Sequence, residues 1–427
     1  MKTEAKNAAP AQTEAPYALP DGWTWEMASN IADIYTGNSI NEKVKSEKYE
    51  GQTEGLNFIG TKDIDFDGSI NYTNGVKIND FENFKTAPAK TPLLCIEGGS
   101  SGKKLGFTNE QVCFGNKLCA FVCKKGVEAK LIYYYLQSNS FFHSFMKERH
   151  GLIGGVSVGS IKQILLPLPP LAEQQRIVAR IESLFSKLDE AKEKAQNAVD
   201  SFEIRKAAVL HKAFTGALTA KWRKQHGVGD DSWEEKTLND VCKSIFDGDH
   251  MPPPKSEEGI PFLVISNVNK GYLSFTDTRF VPKDYYESLS EARKPAKGDV
   301  LYTLVGSFGI PVIVDSTQPF CFQRHMGLLK PLDLVITKFL WYILQTKEMF
   351  EKVSAIATGT AQLTVPIKRL RSLTIPVPTL PEQQEIVRIL DTVMEKERRA
   401  KEAAETVLSQ IELLKKSILA RAFRGRL

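Results

Sequence analysis

The 427 residues exceed one ordinary domain and suffice for two or three; with 42% hydrophobic and 25% charged residues they match a soluble globular chain, not a fibrous one. No apolar run approaches the roughly 18 residues of a membrane span, and the six cysteines (Cys95, Cys113, Cys119, Cys123, Cys242 and Cys321) contain no CxxC pair and meet no histidine cluster. A formal net charge of +5 permits a polyanionic partner without arguing for one, and reduced thiols in a cytoplasmic protein are the plain expectation.

In chain order, residues 1–18 lack the apolar stretch of a signal peptide and read as a disordered tail. Residues 19–170 read as a mixed α and β head. LNFIG, LLCIEG and LCAFVC are strand candidates, and LIYYYLQSNSFFHSFM (131–146) is a buried helix. The loop GSSGKKLG (99–106) sets Lys103 and Lys104 in a Gly/Ser context close to a phosphate loop. However, Glu97 stands where the first glycine belongs, and Lys104 where a hydroxyl should hold magnesium, so nucleotide hydrolysis is excluded.

Residues 171–227 read as a long helix. Pro169 and Pro170 fix its start near Leu171. Apolar residues recur at steps of four and three through Ile177, Ile181, Leu184, Leu188, Ala191, Ala195, Ala198 and Phe202, and Gly216 is a left-handed stop. Residues 228–379 form a second mixed head, with strands in PFLVISNV, DVLYTLVG and IPVIVD and a helix in ITKFLWYILQTKEMFEKV (336–353). Helical spacing makes the aromatics of both head helices core residues and not a stacking platform. Polar loops carry His250, Lys270, Ser307 and the run Gln323-Arg324-His325. Gln and Arg suit base edges and Lys suits phosphates, although a solvated loop is the blander reading of each. Residues 380–427 read as a second long helix. Its start, Thr379-Leu-Pro-Glu382, has a capping-box pattern, and its seam runs through Ile386, Leu390, Val393, an interrupting Glu397, then Ala400, Ala404, Val407, Ile411, Leu414 and Ile418.

The chain repeats itself. PLPPLAEQQRIVARI (167–181) returns as PVPTLPEQQEIVRIL (376–390), and Glu173, Phe214, Gly216 and Leu218 recur as Glu382, Phe423, Gly425 and Leu427, each 209 positions on. The match over some fifty residues has no gap, so length itself is under constraint. Each helix of about 43 residues would be about 65 Å long. A coiled-coil arm joining two chains is one reading. Two copies in one chain can instead pair with each other, antiparallel, with one head at each end of the rod. The expected fold class is therefore α+β, two mixed α/β heads separated by two long helices in an antiparallel intramolecular coiled coil. No Asn-Pro-Pro-aromatic methylation motif, no FxGxG cofactor loop and no Walker motif occur, which favours a binding subunit over an enzyme.

The doubled PLPPLAEQQRIV and PVPTLPEQQEIV, each followed by a long helix ending in AF-x-G, resemble the two conserved regions of type I restriction–modification specificity (S) subunits. DGDHMPPP, GIPFLVISNV and CFQRHMGLLKP are similar to one of that family's target recognition domains, and YTGNSINEKVKSEKYEGQTEGLNFIGTKDI to another, although NSINEKVKSEK lacks the DG-x-H-x-x-P element of Asp247–Pro253. The resemblance implies a non-catalytic subunit bound to double-stranded DNA, to two methyltransferase (M) subunits and, in the full complex, to two restriction (R) subunits. It implies no cofactor on this chain, with S-adenosylmethionine, ATP and magnesium on the partners, adenine N6 methylation, and cleavage of unmodified DNA. Under it, Lys103, Lys104 and Lys270 would serve phosphates, and Gln323, Arg324, His325, His250 and Ser307 would lie near base edges. Heads on a rod would meet half-sites about 34–36 Å apart, or one DNA turn, by default. A stand-alone DNA-binding regulator and a coiled-coil scaffold with two protein-binding heads stay open as alternatives.

Overall fold

The computed structural model describes residues 16–149, 154–248, 253–360 and 362–427. The chain divides into two compact units, Met1–Ala195 with Thr406–Leu427, and Gln196–Glu405.

The first unit opens and closes on one ribbon. Strand Thr24–Met27 pairs antiparallel with Leu165–Leu168, so the segment entering the head lies beside the segment that leaves it for the long helix. Inside, one antiparallel sheet runs in the order Ala32–Thr36, Leu118–Cys123, Pro92–Cys95, Leu105–Phe107. A second runs Lys77–Ile78, Leu56–Ile59, Val112–Phe114, Thr86–Ala87, with a parallel central pair, Phe58 opposite Cys113. Apolar side chains such as Ile59, Leu93, Phe114 and Leu118 are fully buried together. Helices Ala129–Leu136 and Asn139–Lys147 place Tyr135, Phe141 and Phe145 in a larger core that also takes Ile177 and Ile181 from the long helix and Leu419, Ala422 and Phe423 from the chain's end. The expectation that these aromatics are core residues is borne out. Residues 1–15 of the expected tail lie outside the described residues; within its last positions, Tyr17 Oη donates to the Phe423 carbonyl at 2.8 Å.

The second unit repeats this wiring. Its ribbon pairs Glu234–Thr237 with Thr374–Val377, and its larger sheet runs Cys242–Asp247, Met326–Pro331, Val300–Thr303, Pro311–Ile313. The smaller sheet runs Arg279–Val281, Ile260–Leu263, Cys321–Phe322, again with a parallel pair, Phe262 opposite Cys321. Ile386 and Leu390 enter its core beside Leu210 and Ala213, as Ile177 and Ile181 do in the first unit. The expected α+β class with duplicated heads is thus the observed one.

Within each unit the helices run antiparallel. Lys415 Nζ meets Asp189 Oδ1 at 2.6 Å, and Lys192 meets Glu412 at 3.4 Å, so one helix rises as the other falls. In the second unit Arg205 Nε donates to Glu397 Oε2 at 2.8 Å, which explains the carboxylate that interrupts the apolar seam.

Three expectations about the helices need correction. The last helix, Leu380–Ala422, is continuous over 43 residues, but its counterpart breaks into Leu171–Asp200 and Phe202–Phe214. At the break Ser201 Oγ donates to the Asn197 carbonyl at 2.6 Å and Arg205 Nη2 to the Ala198 carbonyl at 3.2 Å, so side chains compete for the helix's own acceptors. Secondly, the seam drifts. Ile177, Ile181, Ile386, Leu390 and Ile411 are buried and Leu184, Leu188 and Val393 half-buried, but Val407 and Leu414 are exposed while Leu419 and Ala422 are buried. The buried positions Ile386, Leu390, Ala404, Ile411 and Ala422 follow the 3.6-residue period of a straight helix and not a strict 3.5 repeat. Thirdly, Glu382 does not serve as a helix cap. It is fully buried, and its Oε1 accepts from Thr219 Oγ1 and Arg223 Nη1, each at 2.6 Å. The glycine stops hold, with Gly216 at φ +76° and Gly425 at φ +65°. Among the described residues no helix is long and apolar enough to cross a membrane.

Candidate nucleic-acid interface

Each head presents one tight turn between its two sheets. In the second unit the turn is Gln323-Arg324-His325-Met326, closed by Met326 N donating to the Gln323 carbonyl at 3.1 Å. It is pinned on both sides, by Gln323 N to the Leu263 carbonyl (3.0 Å) and by Leu304 N to the His325 carbonyl (2.8 Å). The first unit builds the same frame around Gly115-Asn116-Lys117-Leu118: Leu118 N to Gly115 O at 3.0 Å, Gly115 N to Ile59 O at 2.9 Å and Ile96 N to Lys117 O at 3.0 Å. Asn116 and Lys117 therefore stand where Arg324 and His325 stand. Sequence reading passed over both, although Phe114 and Leu118 sit 208 positions before Phe322 and Met326 and would have aligned the turns.

A glycine lies against each turn. A Cβ on Gly37 would sit 1.8 Å from the Phe114 carbonyl oxygen, and one on Gly248 would sit 2.2 Å from that of Phe322. Only a residue without a side chain lets the first strand approach so closely.

Arg324 is exposed and His325 half-buried. Burial, and then the Arg324 charge, holds the His325 imidazole below its ordinary value of 6.5. Both line a cavity of about 370 Å³ with Asp247, Val305, Gln362 and Thr364. Gln362 arrives on the loop before helix Ile367–Arg371, which is tied to the Ser307 loop by Gly306 N donating to Leu363 O at 3.1 Å. In the first unit a cavity of about 330 Å³ lies on another side of the turn, lined by Asn38, Glu42, Lys45, Lys62, Asn116 and Lys117. One cavity combines an arginine, an imidazole, an amide and the Asp247 carboxylate, the other lysines, amides and the Glu42 carboxylate; the cationic and amide groups of both can bond base edges and phosphates.

Ser307 is exposed in the loop joining Val300–Thr303 to Pro311–Ile313, where its carbonyl accepts from Thr303 Oγ1 at 2.8 Å. Lys103 and Lys104 occupy the equivalent loop of the first unit: Gly102 N donates to Cys95 O at 2.8 Å as Gly309 N does to Thr303 O at 3.0 Å. That loop joins two antiparallel strands and opens no helix, so it is no phosphate loop. Lys104 Nζ donates to Thr61 O at 3.2 Å, next to Lys62. Lys270 is exposed in the turn Val268–Gly271. His250 lies outside the described residues. The structure thus brings Arg324, His325 and Gln362 to one cavity, while Ser307 and Lys270 lie on other loops of that unit, and Lys103 and Lys104 belong to the first unit.

Among the described residues no group of three or more His, Cys, Asp or Glu side chains could hold a metal ion. None of the six cysteines forms a disulfide; burial pushes Cys113 up to about 11 and Cys119, Cys123 and Cys242 up to about 12, so these stay protonated and unreactive.

Comparison with known proteins agrees with this duplicated plan. A type I restriction modification DNA specificity domain matches residues 20–200 and again 230–406. The chain is 23% identical over 429 aligned residues to the type I restriction enzyme EcoBI specificity subunit of Escherichia coli, covering 96% of this chain and 87% of that one. It is 28% identical over 288 residues to the EcoKI specificity subunit of Escherichia coli strain K12, covering 64% and 60%. Among solved structures, the HsdS subunit from Thermoanaerobacter tengcongensis superposes with a TM-score of 0.64 at 21% identity, covering 97% of this chain and all of that one. A chain from a structural study of assembly and conformational transition in the type I R-M system gives 0.73 at 19% identity, covering 96% and 100%.

Proposed function

Because this chain belongs to the type I restriction modification DNA specificity family, and is thus a non-catalytic DNA-recognition subunit of such a system, we propose that its two heads, residues 19–170 and 228–379, each read one half of a split DNA site. In this reading the helices 171–227 and 380–427 space the heads and carry two methyltransferase subunits, with two restriction subunits joining in the full complex. Those partners hold S-adenosylmethionine, ATP and magnesium. They methylate adenine at N6 where the heads have bound, and they cleave DNA that lacks the mark.

The observation that carries this reading is the pair of pinned turns, Gly115–Leu118 and Gln323–Met326, with one hydrogen-bond frame and different side chains. A shared frame with divergent tips suits two readers of unlike sequences. Arg324 can donate two parallel bonds to guanine, and Gln323 or Gln362 can donate to adenine N7 while accepting from its N6 amino group, each such pair being worth about 1–3 kcal/mol of discrimination. Lys103, Lys104, Lys117 and Lys270 suit phosphates, with His250, His325 and Ser307 near the base edges.

Two measurements on the full chain test it. Binding to duplex DNA should weaken linearly in log K against log salt, and the chain should co-purify with a larger subunit bearing an Asn-Pro-Pro-aromatic motif. Salt-dependent binding without that partner would favour a stand-alone regulator. No DNA binding at all would favour a coiled-coil scaffold.

A further inference from the structure

The two most exposed aromatic rings among the described residues are Phe66, 71% exposed, and Tyr272, 57% exposed. They lie at the tip of the same loop in the two heads, at different positions of its turn. In the first, a short 3-10 turn after Leu56–Ile59 ends on Asp63, which is nearly buried; its Oδ2 accepts from Gly60 N at 2.8 Å. In the second, the turn after Ile260–Leu263 ends on Asn267, equally buried, whose Oδ1 accepts from Val264 N at 3.0 Å. From each buried anchor a loop departs and returns: Asn71 N donates to Asp63 O at 2.8 Å, and Ser274 N to Asn267 O at 2.9 Å. A tight turn stands at each tip, closed by Gly68 N to Asp65 O at 3.1 Å and by Gly271 N to Val268 O at 2.9 Å, with both glycines at positive φ. Phe66 lies inside the first turn and Tyr272 directly after the second.

No core explains these rings, and water is a poor solvent for them. Both have cations at hand. Lys104 Nζ lies 5.1 Å from the Phe66 ring centre and is itself held by Thr61 O. Lys270 is part of the Tyr272 turn. Two acids, Asp65 and Asp67, flank Phe66 within the turn, and Asp67 Oδ1 is engaged locally, accepting from Ser69 N (2.9 Å) and Ser69 Oγ (2.7 Å). A rigid tip with a bare aromatic and a lysine is complementary to a stacked base beside a phosphate.

We infer that Phe66 and Tyr272 are DNA-stacking wedges, one per head, each pressing its ring against a base step while Lys104 or Lys270 holds the adjoining phosphate. The inference rests on the DNA-reading assignment and adds contacts made through shape and stacking, outside the cavities of Arg324 and Lys117.

The test uses the full chain and a duplex carrying the methylation site mapped in cells, with 2-aminopurine substituted in turn at each adenine. Phe66→Ala and Tyr272→Ala should each weaken binding about tenfold, within the range for loss of one stacked base. Each should abolish the 2-aminopurine brightening at one position and leave the salt slope unchanged. Lys104→Ala should instead lower that slope by about one, and Phe66→Trp should keep both affinity and brightening. Wild-type affinity and brightening in both alanine variants, with salt-dependent binding intact, would overturn the wedges and leave DNA reading standing. Failure of the wild-type chain to bind the mapped duplex would overturn the DNA reading itself.

Discussion

Arg223→Met tests how the second unit holds its helix start. Arg223 is 7% exposed and Glu382 0%, and Thr219 Oγ1 joins their 2.6 Å contact at Glu382 Oε1, while Glu382 Oε2 is buried without a hydrogen bond. Methionine keeps the bulk but strands a buried carboxylate, a loss of about 3–5 kcal/mol. At a urea dependence of about 2–3 kcal/mol per molar, the midpoint of the affected transition falls by roughly 1–2 M. The repeat supplies its own control. Glu173, the counterpart of Glu382, pairs with Arg176 on the surface, with side chains 30% and 52% exposed, so Arg176→Met should cost below about 1 kcal/mol. The double variant Arg223→Met/Glu382→Met should regain most of the loss, since it removes both charges together. Tryptophan fluorescence during urea unfolding reads all three, through Trp23 and Trp25 in the first unit and Trp222, Trp233 and Trp341 in the second. Equal midpoints for the Arg223 and Arg176 variants, or a double variant as unstable as the single one, would refute the reasoning.

Arg324→Ala should relax one half of the recognised site by about 1–3 kcal/mol per lost base pair contact without moving the spacer, measured by competition among duplexes with single changes; unchanged affinity and specificity would remove Arg324 from the interface. Four residues inserted near Ala195, about 6 Å of helix, should shift the accepted gap between half-sites or abolish binding, and an unchanged gap would rule out a ruler. His325 should titrate below 6.5 by NMR and move upward in Arg324→Ala while staying below that value, because burial is the larger cause. Since the unfolded chain then binds the proton more readily, His325 makes the second unit lose stability as pH falls through about 6.5 toward the folded value.

The features legible in the sequence were those fixed by local periodicity or by the repeat itself. Ile177 and Ile386 sit one register apart by 209 residues because each packs into its own head's core, and Gly216 and Gly425 stop their helices because only glycine takes that backbone angle at no cost. The illegible features depend on partners far along the chain. Glu382 has the letters of a cap, but Arg223 lies 159 residues away, and burial of that pair outweighs a surface cap. Ser201 looks like one polar residue in a helix until Arg205 joins it at the same turn of backbone. The seam drifted because alternating steps of four and three look alike over two turns and diverge over ten, so Val407 and Leu414 rotated outward. Asn116 and Lys117 lacked any signature of their own; strand pairing with Ile59 and Ile96 sets their place.

Genome-wide mapping of N6-methyladenine in cells with the intact gene and in cells lacking it tests the central claim most directly. The account predicts a two-part motif, its halves unlike and separated by a fixed gap, that is methylated only when this chain is present. An identical set of methylated motifs in both strains would contradict it.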